Sequence, residues 1–399
     1  MDVWKLLVLA TTVWGTAATV SPCIAQQIED KAIFLRQAKK KAVIMPRPDT
    51  VSLVFLGDIM MHTDQITNAA RLSGTTTENR TGLQSKSFDF SHYFSDIEND
   101  IKNADLAVAN MEFTLAGEPY SGYPSFSAPD SFAEYLAKCG IDVLLTANNH
   151  ILDKGGKGYS RTMSICDSLM LQHGTMTTGS SATREGFVRN NPLLTIVNGI
   201  KIALVNFTYG TNSSVSSEYP KINREGSSDL KESMMRAKEY GADIIIALPH
   251  WGEEYNLKHS SSQEETANWL ADNGADIIIG SHPHVIQDSL TINSGNGRKI
   301  PVIFSLGNAI SNMSAPNTQA GLLLTVNLLR RSNGKTCITG IDYQYTWCSL
   351  PGRLSDSHTV IKIKEYLSRK ELWKAPYEWH KMTDTYYRIQ EKTGITDKK

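Results

Sequence analysis

Short apolar runs recur along the chain, and each is followed at once by polar side chains able to bind a ligand. Leu53-Val54-Phe55-Leu56 runs into Gly57-Asp58, with His62 just beyond. Leu106 to Ala109 leads into Asn110-Met111-Glu112, and Val143-Leu144-Leu145 into Asn148-Asn149-His150. Ile244 to Leu248 precedes His250-Trp251-Gly252, and Ile277-Ile278-Ile279 precedes Gly280-Ser281-His282-Pro283-His284. Val302-Ile303-Phe304 ends in Ser305-Leu306-Gly307-Asn308. Runs of this length, apolar throughout and closed by turn-forming residues, predict strands covered on both faces.

Helical patterns lie between them. Phe88, Phe90, Tyr93, Phe94, Ile97 and Ile101 are spaced as one helix face, with Ser91 as its cap. Further helices are predicted near 131–138, 159–172, Leu230 to Tyr240 and Glu264 to Asn273. Lys201 to Asn206 reads as another strand, and Leu322 to Leu329 with Thr336 to Trp347 as a strand pair. Residues 63–84, rich in Thr, Asn, Ser and Gly, read as a loop with room for one helical turn, and Gly117 to Pro129 and the polar stretch 212–226 with Lys221 and Arg224 read as loops. Strands alternating with helices predict βαβ units and an α/β fold with largely parallel sheets. In such sheets ligands meet the carboxyl ends of the strands, which is where every polar cluster falls.

The two ends of the chain differ from this middle. Met1 to Lys5 is short and weakly basic, Leu6 to Val20 is uncharged and largely apolar, and Cys23-Ile24-Ala25 offers small residues for a cut before Gln26. Residues 1–25 therefore read as a signal peptide, which implies export to the periplasm, the cell exterior or the envelope. A lipid anchor at Cys23 and an uncleaved membrane anchor are the rival readings, with Pro22 weighing against acylation. Residues 26–48 form a polar, basic spacer, 49–349 the main domain, and 350–399 a charged, aromatic tail predicted to pack as helix on that domain.

Composition narrows the picture only a little. The 399 residues carry a formal net charge of -1, which gives no reason to expect nucleic acid as a partner. Lys221 and Arg224 could meet an anionic substrate, although a solvated loop is the simpler reading. Cys139 and Cys166 read as small core residues, and spacing leaves open whether Cys337 and Cys348 are bridged. No Cys-x-x-Cys occurs, which argues against a thiolate zinc site.

The polar clusters supply the chemistry. Asp58, His62, Glu112, Asn149, His150, His250, His282 and His284 bring two acids, an amide and five imidazoles to five strand ends. Carboxylate and neutral imidazole together suit Zn, Mn or Fe. Burying such a group without a cation would be costly. This points to a centre of divalent metal ions.

These motifs, with Asp153 and Gly155 after His150 and Glu254 and Tyr255 after Gly252, resemble those of the CapA family of capsule or poly-gamma-glutamate synthesis proteins. That family lies within the calcineurin-like metallophosphoesterase superfamily. The resemblance spans roughly 52–310 and keeps the family's motif order. It implies a four-layer α/β/β/α sandwich with a C-terminal helical extension and two divalent ions between the sheet ends. By that resemblance Asp58, His62 and His284 hold one ion, Asn149, His250 and His282 hold the other, and Glu112 bridges them. His150 is the proton donor to the leaving group, Asn148 positions a substrate oxygen or the backbone, and Asp153, Glu254, Tyr255 and Asn308 support the ligands. Three residues separate Asp58 from His62 where the superfamily has one, and Glu112 stands where it has Asp; both are features of the CapA branch.

The implied activity is a metal-dependent hydrolase or transferase acting on an anionic envelope polymer or peptide, with gamma-glutamyl amide bonds as the case in point. An envelope phosphoesterase, or a non-catalytic capsule assembly or export component working with membrane proteins of capsule synthesis, are the alternatives.

Overall fold

The computed structural model describes residues 50–74 and 87–397, and the backbone of 76–79 and 82–85. The expected signal peptide, the spacer and Cys23 lie outside the described residues. Among the described residues, no helix is long and apolar enough to cross a membrane.

Two large sheets carry the fold. The first has eight strands. From edge to edge they are Thr359–Lys362, Thr336–Ser349, Ala320–Arg330, Thr50–Ile59, Leu106–Met111, Val143–Leu145 and Met176–Thr178, with Asn308–Ile310 paired to the end of Thr50–Ile59. The second has six, in the order Ser289–Asn293, Lys299–Ile303, Ile277–Ile279, Ile244–His250, Ile200–Thr208 and Leu193–Val197. In both, the central strands run parallel: Thr50–Ile59 with Leu106–Met111, and Ile244–His250 with Ile200–Thr208 and Ile277–Ile279.

The period-two alternation of a strand explains the layers. In Thr50–Ile59, Val54 and Leu56 face a helical layer while Val51, Leu53 and Phe55 face the other sheet. In Ile244–His250, Ile246 and Leu248 face inward to the same core and Ile245 and Ala247 outward. Helices Thr63–Leu72, Asp130–Lys138 and Gly155–His173 cover the first sheet through Ala69, Phe132 and Cys166. Helices Ser228–Glu239 and Ser261–Asp272 cover the second through Leu230, Met234 and Leu270. The expected four-layer α/β/β/α sandwich is the result.

Local readings shift in three places. Residues 63–72 form a ten-residue helix rather than a single turn within a loop; its low-propensity Thr and Asn are overridden by the burial of Gln65, Ile66, Ala69 and Ala70. The stretch expected as one helix from Phe88 to Ile101 is helical only over Glu98–Asn103. Its apolar side chains are buried as read, but on successive turns closed by Tyr93 N–H to Phe90 O and Ile97 N–H to Phe94 O. An i, i+3 spacing serves a helix face and a chain of turns equally well.

In the 350–399 stretch, the strand Thr359–Lys362 precedes the helix Pro376–Thr393. That helix sends Met382, Tyr386 and Ile389 into the inter-sheet core beside Trp347. Cys337 and Cys348 sit on one strand, eleven residues or about 36 Å apart, beyond disulfide reach, and both are free.

The sheets meet through a crossing segment. Ser305–Asn308 leaves the second sheet and enters the first, where Gly307 O accepts from Asp58 N–H at 3.0 Å. A Cβ on Gly57 would lie 1.8 Å from Gly307 O, so only glycine admits this approach. Gly57→Ala is expected to lower unfolding stability by about 1–3 kcal/mol or more. Gly210→Ala, where a Cβ meets nothing within 4 Å, should stay within about 0.5 kcal/mol of the parent in the same urea titration followed by tryptophan fluorescence.

Candidate metal centre

Strand ends from both sheets meet at one buried point. Asp58 pairs in register with Asn110 on one side and Asn308 on the other, and His250 bridges to Ser281. Asp58, Glu112, Asn149, His250, His282 and His284 are all buried. The turn after Ile279 holds His282 at φ 100° and His284 at φ 57°, conformations that cost energy in residues with a Cβ. His282 N–H donates to Asp58 Oδ2 at 3.1 Å, which ties that strained turn across the sheets.

Glu112 is the centre of the cluster. One oxygen lies 3.7 Å from His250 Nε2 and 3.8 Å from His284 Nε2. Ligand atoms of Glu112, His282 and His284 lie within 4.8 Å of one another, and so do those of Asp58, Glu112 and His250. Glu112 belongs to both groups. Asp58 also reaches toward the first group, its Oδ2 3.3 Å from His284 Nδ1; His62 is in neither group. Asn149 joins through its Oδ1, 2.8 Å from His250 Nε2.

The electrostatics favour a cation. Both Glu112 oxygens and His282 Nδ1 are buried with no hydrogen-bond partner among the described residues. Burial, reinforced by Asp58, pushes the Glu112 carboxyl well up. Burial, followed by its neighbouring imidazoles, holds His250 well below its ordinary value, and burial with His284 brings His282 to about 4. Burial lowers His284 too, but its hydrogen bond to the Asp58 carboxylate, the charges of Asp58 and Glu254 and its contact with Asn308 together outweigh burial and leave this ring raised. His250 and His282 are thus neutral at pH 7, the state in which imidazole binds metal. A divalent ion would satisfy the orphaned atoms, so this donor set fits one chemically.

His150 stands beside the cluster. Its Nδ1 is 2.8 Å from Asp153 Oδ2, an oxygen that also accepts from Phe126 N–H. Phe126 meets the His150 ring edge-on at 4.7 Å and His62 at 5.3 Å. Asn148 is engaged by the backbone: its Nδ2 donates to Met111 O at 2.7 Å and its Oδ1 accepts from His150 N–H, so it ties two strand ends together, with Asn110 Oδ1 3.4 Å from the same Nδ2. His62 begins the helix Thr63–Leu72, with its N–H on Gln65 Oε1 and its Nδ1 accepting from Asn312 N–H at 3.3 Å. Asn308 Oδ1 lies 3.0 Å from His284 Nδ1. Glu254 and Tyr255 are exposed at the rim, with the Tyr255 ring 6.5 Å from His284.

Sequence reasoning gave no role to Asn110, whose Nδ2 donates to Asp58 Oδ1 at 2.7 Å and lies 3.2 Å from His250 Nδ1. Its place at the strand end beside Glu112 was the available signal. Ser281, Gln65 and Asn312 were also passed over. Asn312 reaches His62 from 250 positions away, a pairing with no local signature.

Residues 52–313 match the family described as bacterial capsule synthesis protein PGA_cap. The chain belongs to that family. It is 28% identical to the capsule biosynthesis protein CapA of Bacillus anthracis over 79% of this chain and 73% of the relative. It is 27% identical to the PGA biosynthesis protein CapA of Bacillus subtilis strain 168, covering 74% and 72%. The CapA-type membership expected from the motifs is thereby established.

Among solved structures, a 5'-nucleotidase precursor from Thermus thermophilus aligns at TM-score 0.45 and 10% identity over 86% of this chain, which spans 58% of that protein's length. The calcineurin-like phosphoesterase YfkN of Bacillus subtilis aligns at TM-score 0.40 and 14% identity, covering 86% of this chain and 97% of YfkN.

The unpartnered Glu112 yields a stability test with a defined sign. In the folded, metal-free chain its carboxyl is raised above the value of about 4.3 for an unfolded glutamate, so the fold resists its ionisation. Stability falls as pH climbs from about 4 toward the raised value. Glu112→Gln is therefore expected to stabilise the chelator-treated protein by about 1–3 kcal/mol at pH 7.5, with the gain shrinking toward pH 4. Added Mn or Zn should raise the melting temperature of the parent and not of the variant.

Proposed function

We propose that this member of the capsule synthesis family is an exported hydrolase or transferase that uses two divalent ions, Mn, Zn or Fe, to act on a polymer of the capsule or cell envelope. The observation that carries the reading is the Glu112 carboxylate, buried without a partner and shared by two ligand groups. Divalent cations held by Asp58, Glu112, Asn149, His250, His282 and His284 would activate water and polarise the bond under attack.

The chain's own residues supply the rest. Asp153 fixes the His150 ring through Nδ1, which leaves Nε2 to give a proton to the leaving group. Asn148 and Asn110 hold the strand ends in place so that the ligands keep their relative positions. Phe126 covers one edge of His150 and limits its access to water. Export is supported by the apolar Leu6 to Val20 stretch.

Two scissile bonds suit this chemistry: a gamma-glutamyl amide, as in poly-gamma-glutamate, and a phosphoester of an envelope sugar or lipid. A purified chain loaded with Mn or Zn and given gamma-glutamyl oligomers and a generic phosphodiester tells them apart. His150→Ala is expected to lower kcat about 10²–10⁴-fold on the preferred substrate while metal content is unchanged. The double variant Asp58→Ala, His282→Ala should lose metal, by elemental analysis, and turnover together. Failure to cleave either substrate, with polymer binding intact in His150→Ala, would assign the chain an assembly or export role instead.

A further inference from the structure

Three tyrosines surround the mouth of the candidate centre and are poorly buried. Tyr209 is 46% exposed, and its ring lies 4.7 Å from His282 and 6.4 Å from His250. Tyr255 is 47% exposed and 6.5 Å from the His284 ring. Tyr123 is 73% exposed and meets Phe126, which in turn covers His150. Burial, then Glu254 and to a smaller extent Tyr123, pushes the Tyr255 hydroxyl up to about 12.

Tyr255 is held at φ 67°, a strained conformation for an aromatic residue, by its N–H bonded to Pro283 O at 2.8 Å. That strain fixes the phenol beside the His282-Pro283-His284 turn, and so large an exposed fraction returns little packing for it. The rim carries two exposed acids, Glu253 and Glu254, and the charge of Glu254 is felt by Tyr255, Glu112, His282 and His284. The guanidinium of Arg224, on the neighbouring loop, donates to Thr211 Oγ1.

We propose that Tyr123, Tyr209 and Tyr255 form a stacking subsite that holds a pyranose ring of the substrate, with Glu254 accepting hydrogen bonds from its hydroxyl groups. A pyranose has a flat C–H face that an exposed phenol covers, and peripheral hydroxyls that donate to carboxylates. A polyglutamate offers neither, and its carboxylates would meet Glu253 and Glu254 at the entrance. The subsite rests on the reading of the centre as an active site and names the substrate class: a sugar-bearing envelope polymer, cut beside a saccharide.

The test is calorimetric titration of the metal-loaded full chain with cellohexaose, a neutral hexose oligosaccharide, and with a gamma-glutamyl hexamer. Saturable binding of cellohexaose is expected, weakened tenfold or more in Tyr209→Ala and Tyr255→Ala and retained in Tyr255→Phe. The hexamer should show no saturable binding. Circular dichroism melts of each variant separate lost binding from lost folding. Absence of cellohexaose binding, indifference to the tyrosine variants, or tighter binding of the hexamer overturns the proposal. Tyrosine-dependent sugar binding in a chain that neither retains metal nor turns over any substrate would leave the subsite standing and remove the catalytic reading instead.

Discussion

A carboxylate sealed between two sheets with nothing to donate to it is the constraint on which the rest of this fold turns. Glu112 is fully buried, its oxygens have no hydrogen-bond partner among the described residues, and Asp58 stands close enough to raise its carboxyl further. An isolated buried charge of this kind is strongly unfavourable, and the imidazoles of His250 and His282, held neutral by their own burial, do little to offset it. A divalent cation reverses the sign of the whole arrangement. Repulsion among the acids would be offset by attraction to the ion, and unprotonated ring nitrogens would serve as donors.

Rigidity around that point comes from the sheets. The ligand-bearing residues sit at the ends of strands buried on both faces, so their backbones are fixed by two layers of side chains as well as by ladder hydrogen bonds. The crossing segment Ser305–Asn308 links one sheet to the other and places Gly307 O against Asp58. Asn110 and the His282 amide complete the link by holding both oxygens of Asp58. The C-terminal helix contributes indirectly, by filling the inter-sheet core over the antiparallel wing of the first sheet.

The rim follows different physics from the floor. The floor is dry, tightly bonded and cationic once loaded. The rim is open, aromatic and acidic, built from loops that tolerate strain at Tyr255. On the proposed reading the two tasks are separate: bond-breaking chemistry would belong to residues on strand ends, and choice of substrate to exposed side chains on loops. Relatives could therefore share the floor and differ in the polymer they take.

The alternation of apolar strands with helices, and the polar residues closing each strand, were legible without coordinates, because burial on both faces demands uninterrupted apolar runs and parallel βαβ units set their sites at the carboxyl ends. The motif order also disclosed the family. Composition misled at residues 63–72, where contacts overrode propensity, and periodicity misled at Phe88 to Ile101, where turns reproduced the spacing of a helix. The role of Asn110, the support of His62 by Asn312 and the gathering of three distant tyrosines all required the folded chain. Each depends on residues far apart in the chain, and a linear pattern carries periodicity along a strand or helix but no distance between one strand end and another.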